Sequence, residues 1–150
     1  MTVQAFWEAF LQETGRPADT PCLESFHFDL TEKWANELLR LVLEGKKRAT
    51  SSSLTCYELE GARVPAPGDL SIVTDWAGEP HCVIETTQGD ILPFRDVTFA
   101  LCRLEGEDDC LDSWRRSHIN FFTAEGREAG YVFTEDMPVI FEQFRVIYAK

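Results

Sequence analysis

Positive charge is scarce in this chain. Of its 150 residues, 14 are Lys or Arg and 26 are Asp or Glu, which gives a net charge of −12. Cations that release counterions from phosphates supply most nucleic-acid affinity. Long DNA or RNA held along its backbone is therefore excluded as a partner, whereas a small, nearly neutral ligand or a short RNA at a local basic site remains open. The chain also lacks any run of about eighteen apolar residues, so no transmembrane helix and no membrane partner is expected. Its opening stretch, "MTVQAFWEAFLQETGRP", carries acids and has no basic n-region or small-residue cleavage site. It does not read as a signal peptide, and a cytoplasmic protein is the expectation. The five cysteines (Cys22, Cys56, Cys82, Cys102, Cys110) are odd in number and form no C-x-x-C. That argues against a disulfide framework or a structural zinc site. The three histidines (His27, His81, His118) are scattered and form no H-E-x-x-H. No metal or other cofactor is expected.

Apolar residues are plentiful, at 44% of the chain. That is enough for one core, and no interdomain linker or repeat interrupts residues 1–150. Val3, Phe6, Trp7, Phe10 and Leu11 recur at helical spacing, ended by Gly15 and Pro17. "ESFHFD" alternates as a short strand. Thr31 suits a helix N-cap, Trp34, Leu38, Leu41 and Val42 form the buried stripe behind it, and Gly45 suits the left-handed position past its end. "ATSSSLTCYEL" predicts a short strand running into a helical piece. "LSIVTDW" and "HCVIETT" predict strands joined by a hairpin turn, and "GDILPFRDVTFALC" mixed strand and turn. Leu111, Trp114, His118, Phe121 and Phe122 predict a helix ended near Gly126, "YVF" a short extended piece, and "MPVIFEQFRVIYAK" a closing strand. The sum is an α+β domain of several antiparallel strands with helices over one side or end.

Chemistry-bearing residues gather in four places. In "EGKKRATSS", Lys46, Lys47 and Arg48 follow a helix end, where cations are favoured in any case. The functional reading turns Lys47 inward. A desolvated lysine gives up its proton more easily, and a neighbouring Thr50 hydroxyl then becomes a nucleophile. On a continuous strand these two residues would face opposite ways, so they converge only if Lys47 lies in a turn and Thr50 on the strand. "LEGEDDC" holds Glu105, Glu107, Asp108 and Asp109, either as a solvated acidic loop or as the source of an acid/base carboxylate; it lacks the EF-hand pattern. In "SWRRSHINFF", Arg115 and Arg116 read as exposed or paired, and His118 as a core histidine or a ligand. Tyr57, Trp76 and Trp34 are aromatics that serve equally as core or as base-stacking surfaces.

In order, "LLRLVLEGKKRATSS", "PAPGDLSIVTD", "EGEDDCLDSWRRSHINFF" and "MPVIFEQFRVIY" resemble the ASCH domain family of the PUA-like superfamily. Gly45, Lys47 and Thr50 match its G-x-K-x-x-T segment. The likeness begins at about the second helix, so residues 1–23 read as an N-terminal helical extension to a single domain. It implies a PUA-like fold: a small mixed or antiparallel β-barrel with flanking helices and a cleft at one side. It further implies a nucleobase or RNA connection. Family members include a metal-independent amidohydrolase that acts on cytidine acetylated at its exocyclic amine, with a Lys–Thr–Glu catalytic set, as well as a ribonuclease and members inferred to bind RNA. Carried over, the set is Lys47, Thr50 and Glu107, with Glu105 the rival for the last place. Glu105, Ser51, Tyr57 and Arg115 complete the candidate substrate-binding residues. Many members have a basic residue shortly after the threonine. Here Ser51, Ser52 and Ser53 follow instead, which speaks against a phosphate-bearing substrate.

Overall fold

The computed structural model describes all residues, 1–150. Helix α1 (Val3–Thr14) is capped by the Thr2 side chain at its start and by left-handed Gly15 at its end. The predicted "ESFHFD" strand shrinks to β1 (Ser25–Phe26). Helix α2 (Glu32–Leu43) begins at its Thr31 cap. Strand β2 (Ala49–Ser53) runs directly into α3 (Leu54–Glu60), with Ser53 as the cap. Strands β3 (Leu70–Thr74) and β4 (Pro80–Pro93) form the expected hairpin. A short α4 (Phe99–Cys102), a 3-10 turn (Arg103–Glu105) and the long α5 (Leu111–Ala129) precede β5 (Pro138–Ala149). No helix is long and apolar enough to cross a membrane.

The strands form one mixed sheet in the order β1-β3-β4-β5-β2. Only β1 and β3 are parallel. The sheet is open, so the barrel implied by the family likeness is unclosed, with β1 and β2 as its edges. Register shifts between Val83 and Ile84 and between Thr86 and Gln88 mark irregularities in the long β4–β5 pair; such bulges add local twist and bend. The segment between β4 and β5 carries α4, the acidic loop and α5, and so delivers half of the cleft described below.

Strand β3 is buried along its whole length because helices cover both faces. Leu38, Leu39 and Val42 of α2 pack with Phe28 on Val73, Cys82, Ile84 and Phe144. Phe6, Trp7, Phe10 and Leu11 of α1 pack on Leu70, Ile72 and Val83, which point the other way. Burying side chains of this size favours folding by roughly 1.5–3 kcal/mol each. A third cluster joins Trp114 and Phe122 of α5 to Phe94, Val97, Cys102, Met137 and Val139.

Three local expectations are corrected. Trp34 is not in the buried stripe of α2, which consists of Ala35, Leu38, Leu39 and Val42; it is 48% exposed. It sits on the first turn of the helix, a step of about 100° off that stripe, and it borders the cleft. Helix α5 does not end near Gly126 but continues to Ala129, where left-handed Gly130 caps it. Gly126 is instead a packing residue, since a Cβ there would lie 2.3 Å from the Tyr131 carbonyl oxygen. The "YVF" stretch forms no strand.

Candidate active site

Gly45, at φ 78°, turns the chain after α2. The amides of Lys46 and Lys47 both donate back to the Leu41 carbonyl, at 2.9 and 3.1 Å. Lys47 therefore lies in a turn and Thr50 on β2, the arrangement that lets the two share a cleft. A second turn locks onto the first. The Arg48 amide donates to the Leu104 carbonyl at 2.8 Å. Gly106 has φ 72°, and a Cβ on it would meet the Lys46 carbonyl oxygen at 2.3 Å. The backbones touch, which only glycine allows in this conformation. This contact brings Glu105 and Glu107, on either side of Gly106, to Lys47.

Lys47 is 2% exposed. Its ammonium donates to the Glu107 carboxylate (Oε2, 2.6 Å), to the Ala49 carbonyl (2.8 Å) and more loosely to Glu105 (Oε1, 3.4 Å). Three donors thus meet three acceptors. Glu105 is fully buried, and its Oε2 accepts from the Ser51 hydroxyl (2.7 Å) and the Trp114 indole N–H (2.9 Å). His118 is 8% exposed, and its Nε2 lies 3.4 Å from Glu105 Oε1.

The charges settle as the geometry dictates. Burial opposes charge on Lys47, but Glu107 and Glu105 together outweigh it and hold the ammonium above its ordinary value. The expectation that desolvation would free Lys47 to act as a base is opposed by the two carboxylates beside it, which favour the charged form. Burial likewise raises Glu105, yet Lys47, His118 and its hydrogen bonds pull it well below the usual carboxylate range. Glu107 goes the other way: burial and the Glu105 charge push it up, against the pull of Lys47. Burial lowers His118, and Glu105 more than restores it, so the imidazole is shifted upward.

These groups line a cleft of about 400 Å³ that also takes in Thr50, with Phe28, Trp34 and Phe121 supplying apolar wall. The cleft brings together Lys47, Thr50, Ser51, Glu105 and Glu107. It does not take in Tyr57, whose hydroxyl donates to Glu24 at 3.3 Å. Nor does it take in Arg115, which pairs with Glu135 and lies 5.2 Å over the Phe94 ring. Trp76 is likewise outside it and packs on His27. Sequence reading left His118 between core and site, and it gave no role to Gly106 or to the Trp114 indole. A glycine between two acids is a signal that could have flagged the turn. Glu105, Glu107 and His118 place donor atoms within 4.8 Å of one another. The cation the chain itself supplies beside both carboxylates is the Lys47 ammonium, and no metal centre is assigned there.

The family model described as ASCH domain matches residues 24–148. The chain belongs to the ASCH domain family. Its PUA-like fold is shared with an ASCH domain from Lactobacillus crispatus, at 34% identity and TM-score 0.85, over 97% of this chain and 93% of that one. A protein of Enterococcus faecalis, assigned to a family known as DUF984, is 30% identical with TM-score 0.89, over 98% of this chain and 88% of that one. A hypothetical protein at 17% identity and TM-score 0.51, over 83% of this chain and 97% of that one, shares the fold alone. None of the curated proteins matches. The matched span of this ASCH domain contains both turns that build the cleft and begins after α1.

Proposed function

We propose that this ASCH domain is an amidohydrolase that removes an acyl group from the exocyclic amine of a pyrimidine nucleoside, of the acetylated-cytidine type. One observation carries the reading: the buried Lys47 ammonium, the Glu107 carboxyl and Thr50 line a single cleft, with Lys47 and Glu107 at 2.6 Å. Thr50 Oγ1 attacks the acyl carbon. Glu107 takes the hydroxyl proton and returns it to the departing amine as the C–N bond breaks, a task suited to a carboxyl that burial and the Glu105 charge hold above its ordinary value. Lys47, whose three N–H groups stay on Glu107, Ala49 and Glu105, acts on the developing oxyanion through its fixed positive charge alone. Water then cleaves the acyl-threonine ester by the same groups in reverse order. The cleft lining includes Asp29, Asp108, Glu105 and Glu107 but no arginine, which disfavours a phosphorylated substrate.

The test is incubation of the purified protein with acetylated cytidine and chromatography of the products. Cytidine and acetate are expected from the wild type. No detectable product is expected from Thr50→Ala, and a loss of about 100-fold or more from Glu107→Gln. Turnover that survives Thr50→Ala refutes the mechanism, and no turnover of any acylated pyrimidine nucleoside refutes the reading. An RNA-binding or ribonuclease role draws less support. It would use Lys46, Lys47 and Arg48 as a patch, yet Lys47 is buried and Lys46 sits 3.5 Å from Glu44.

A further inference from the structure

His118 is an ionisable group of the cleft that the proposed chemistry leaves without a task, as it does Glu105, Asp29 and Asp108. Its surroundings fix its protonation by geometry. Nδ1 lies 2.8 Å from the Trp114 carbonyl oxygen, which can only accept, so Nδ1 carries a proton. The Ser117 hydroxyl, 3.2 Å from the same nitrogen, donates to that carbonyl as well. In a neutral ring, Nε2 would then present a lone pair to Glu105 Oε1 at 3.4 Å. An unprotonated nitrogen and a carboxylate oxygen would then lie 3.4 Å apart in a buried site. A proton on Nε2 makes this a charge-assisted contact. The ring also stacks on the Trp114 indole, at 4.2 Å and 21°, a face that attracts cations.

We propose that His118 works as an imidazolium, protonated on both nitrogens. In this role it is the positioning residue that holds Glu105 in place and leaves Glu107 as the carboxyl that exchanges protons. The charged groups around it are Glu105 at the end of the 3-10 turn, Glu107 and Asp108 in the loop beyond, Lys47 in the turn before β2, and Asp29 on the far wall. Two cations, Lys47 and His118, then face Glu105 and Glu107. Glu105 is held by both cations and by two neutral donors, so it stays ionised. Glu107 contacts only Lys47 and is partly open to the cleft, so it is the acid whose proton can move. Loss of the His118 proton would weaken the hold on Glu105 and draw Lys47 towards it, away from Glu107.

The catalytic half of this proposal rests on the hydrolase reading above; the protonation half does not. The decisive measurement is nitrogen-15 NMR of the full-length protein's imidazole rings across pH, with His118 assigned by His118→Gln. Both His118 ring nitrogens are expected to be protonated at pH 7. Glu105→Gln is expected to move the His118 titration to lower pH. A bare Nε2 at pH 7 overturns the proposal whether or not that variant folds, and so does a His118 titration that Glu105→Gln leaves unmoved. On acetylated cytidine, His118→Gln should lower kcat about tenfold or more with KM nearly unchanged. Loss of the His118 proton is expected to make wild-type activity fall on the alkaline side, and His118→Gln should abolish that fall. A profile identical in shape to the wild type overturns the positioning role. If no acylated nucleoside is hydrolysed, the NMR titration still decides the protonation, and only the hydrolase reading falls.

Discussion

Lys47→Met tests the electrostatic account of the site most directly. Methionine is unbranched like lysine and one atom shorter, so it keeps most of the volume and removes the charged end. Glu105 would keep His118, Ser51 and Trp114, whereas Glu107 would lose the ammonium at 2.6 Å. Breaking a buried pair by removing one partner costs about 3–5 kcal/mol, because a buried charge is left unpaired. The Glu107 side chain is 18% exposed and water can reach it, so the lower end applies: about 3 kcal/mol at pH 7.5. In a domain of this size that is a fall in Tm of roughly 6–12 °C. The sign with pH follows from Glu107. Without Lys47, burial and the Glu105 charge raise its folded value further above the unfolded one. The variant is then most stable below the unfolded carboxylate value and loses stability as pH rises through the folded one. The gap between wild type and variant should therefore be small near pH 4 and widest at pH 7.5 and above. Urea melts at a series of pH values measure it. Lys47→Met combined with Glu107→Gln should recover at least half of the loss at pH 7.5. A gap below about 1 kcal/mol there, or one that does not vary with pH, refutes the reasoning.

Two further outcomes bear on the surroundings of the site. Glu142, on β5, is 7% exposed and accepts from the Thr86 hydroxyl at 2.6 Å; burial pushes its carboxyl from 4.5 up to about 6, with Glu24 and Asp69 adding to the push. Its folded value is raised, so it contributes stability below pH 4.5 that is lost as pH rises through 6. Glu142→Gln should then stabilise the protein by about 2 kcal/mol at pH 7.5 and by nothing below pH 4.5; paired denaturant melts at those pH values check this, and a destabilised variant at pH 7.5 contradicts it. Gly106→Ala meets both a left-handed backbone and the Lys46 carbonyl at 2.3 Å, so it should cost about 2–5 kcal/mol. Gly61→Ala, also left-handed but with open space around its Cβ, should cost only about 1 kcal/mol; equal thermal shifts in the two variants would remove the backbone contact as the cause.

Much of the scaffold was legible before any coordinates. Thr31 at one end of α2 and Gly45 at the other announce the helix, and the turn after Gly45 is what allows Lys47 and Thr50 to share a cleft. Sequence offers no choice between Glu105 and Glu107, because both line the cleft. The turn at Gly106 splits them, sending one into the protein and leaving the other at the cleft. The setting of Lys47 is not legible in sequence, because the carboxylates that favour its charge lie 58 and 60 residues away. Periodicity correctly put His118 on the buried face of α5, but an apolar stripe looks the same whether its histidine meets a carbonyl or a carboxylate. Residue type alone nominates Tyr57 and Arg115, and only the fold reveals that one turns to Glu24 and the other to Glu135.

The contact between the Gly45 turn and the Gly106 turn has a consequence for how the cleft could change during evolution or in the laboratory. The side that carries Lys47, Glu105 and Glu107 is welded through backbone, so a new side chain there disturbs the fold itself. Another side is bounded by Trp34, on the first turn of a helix whose anchoring residues lie elsewhere on its surface. Changes at that side alter the shape of the opening without touching the weld. Selection for a new ligand would find its freedom at Trp34 and its neighbours, and libraries built there should retain folding far more often than libraries built on the turns.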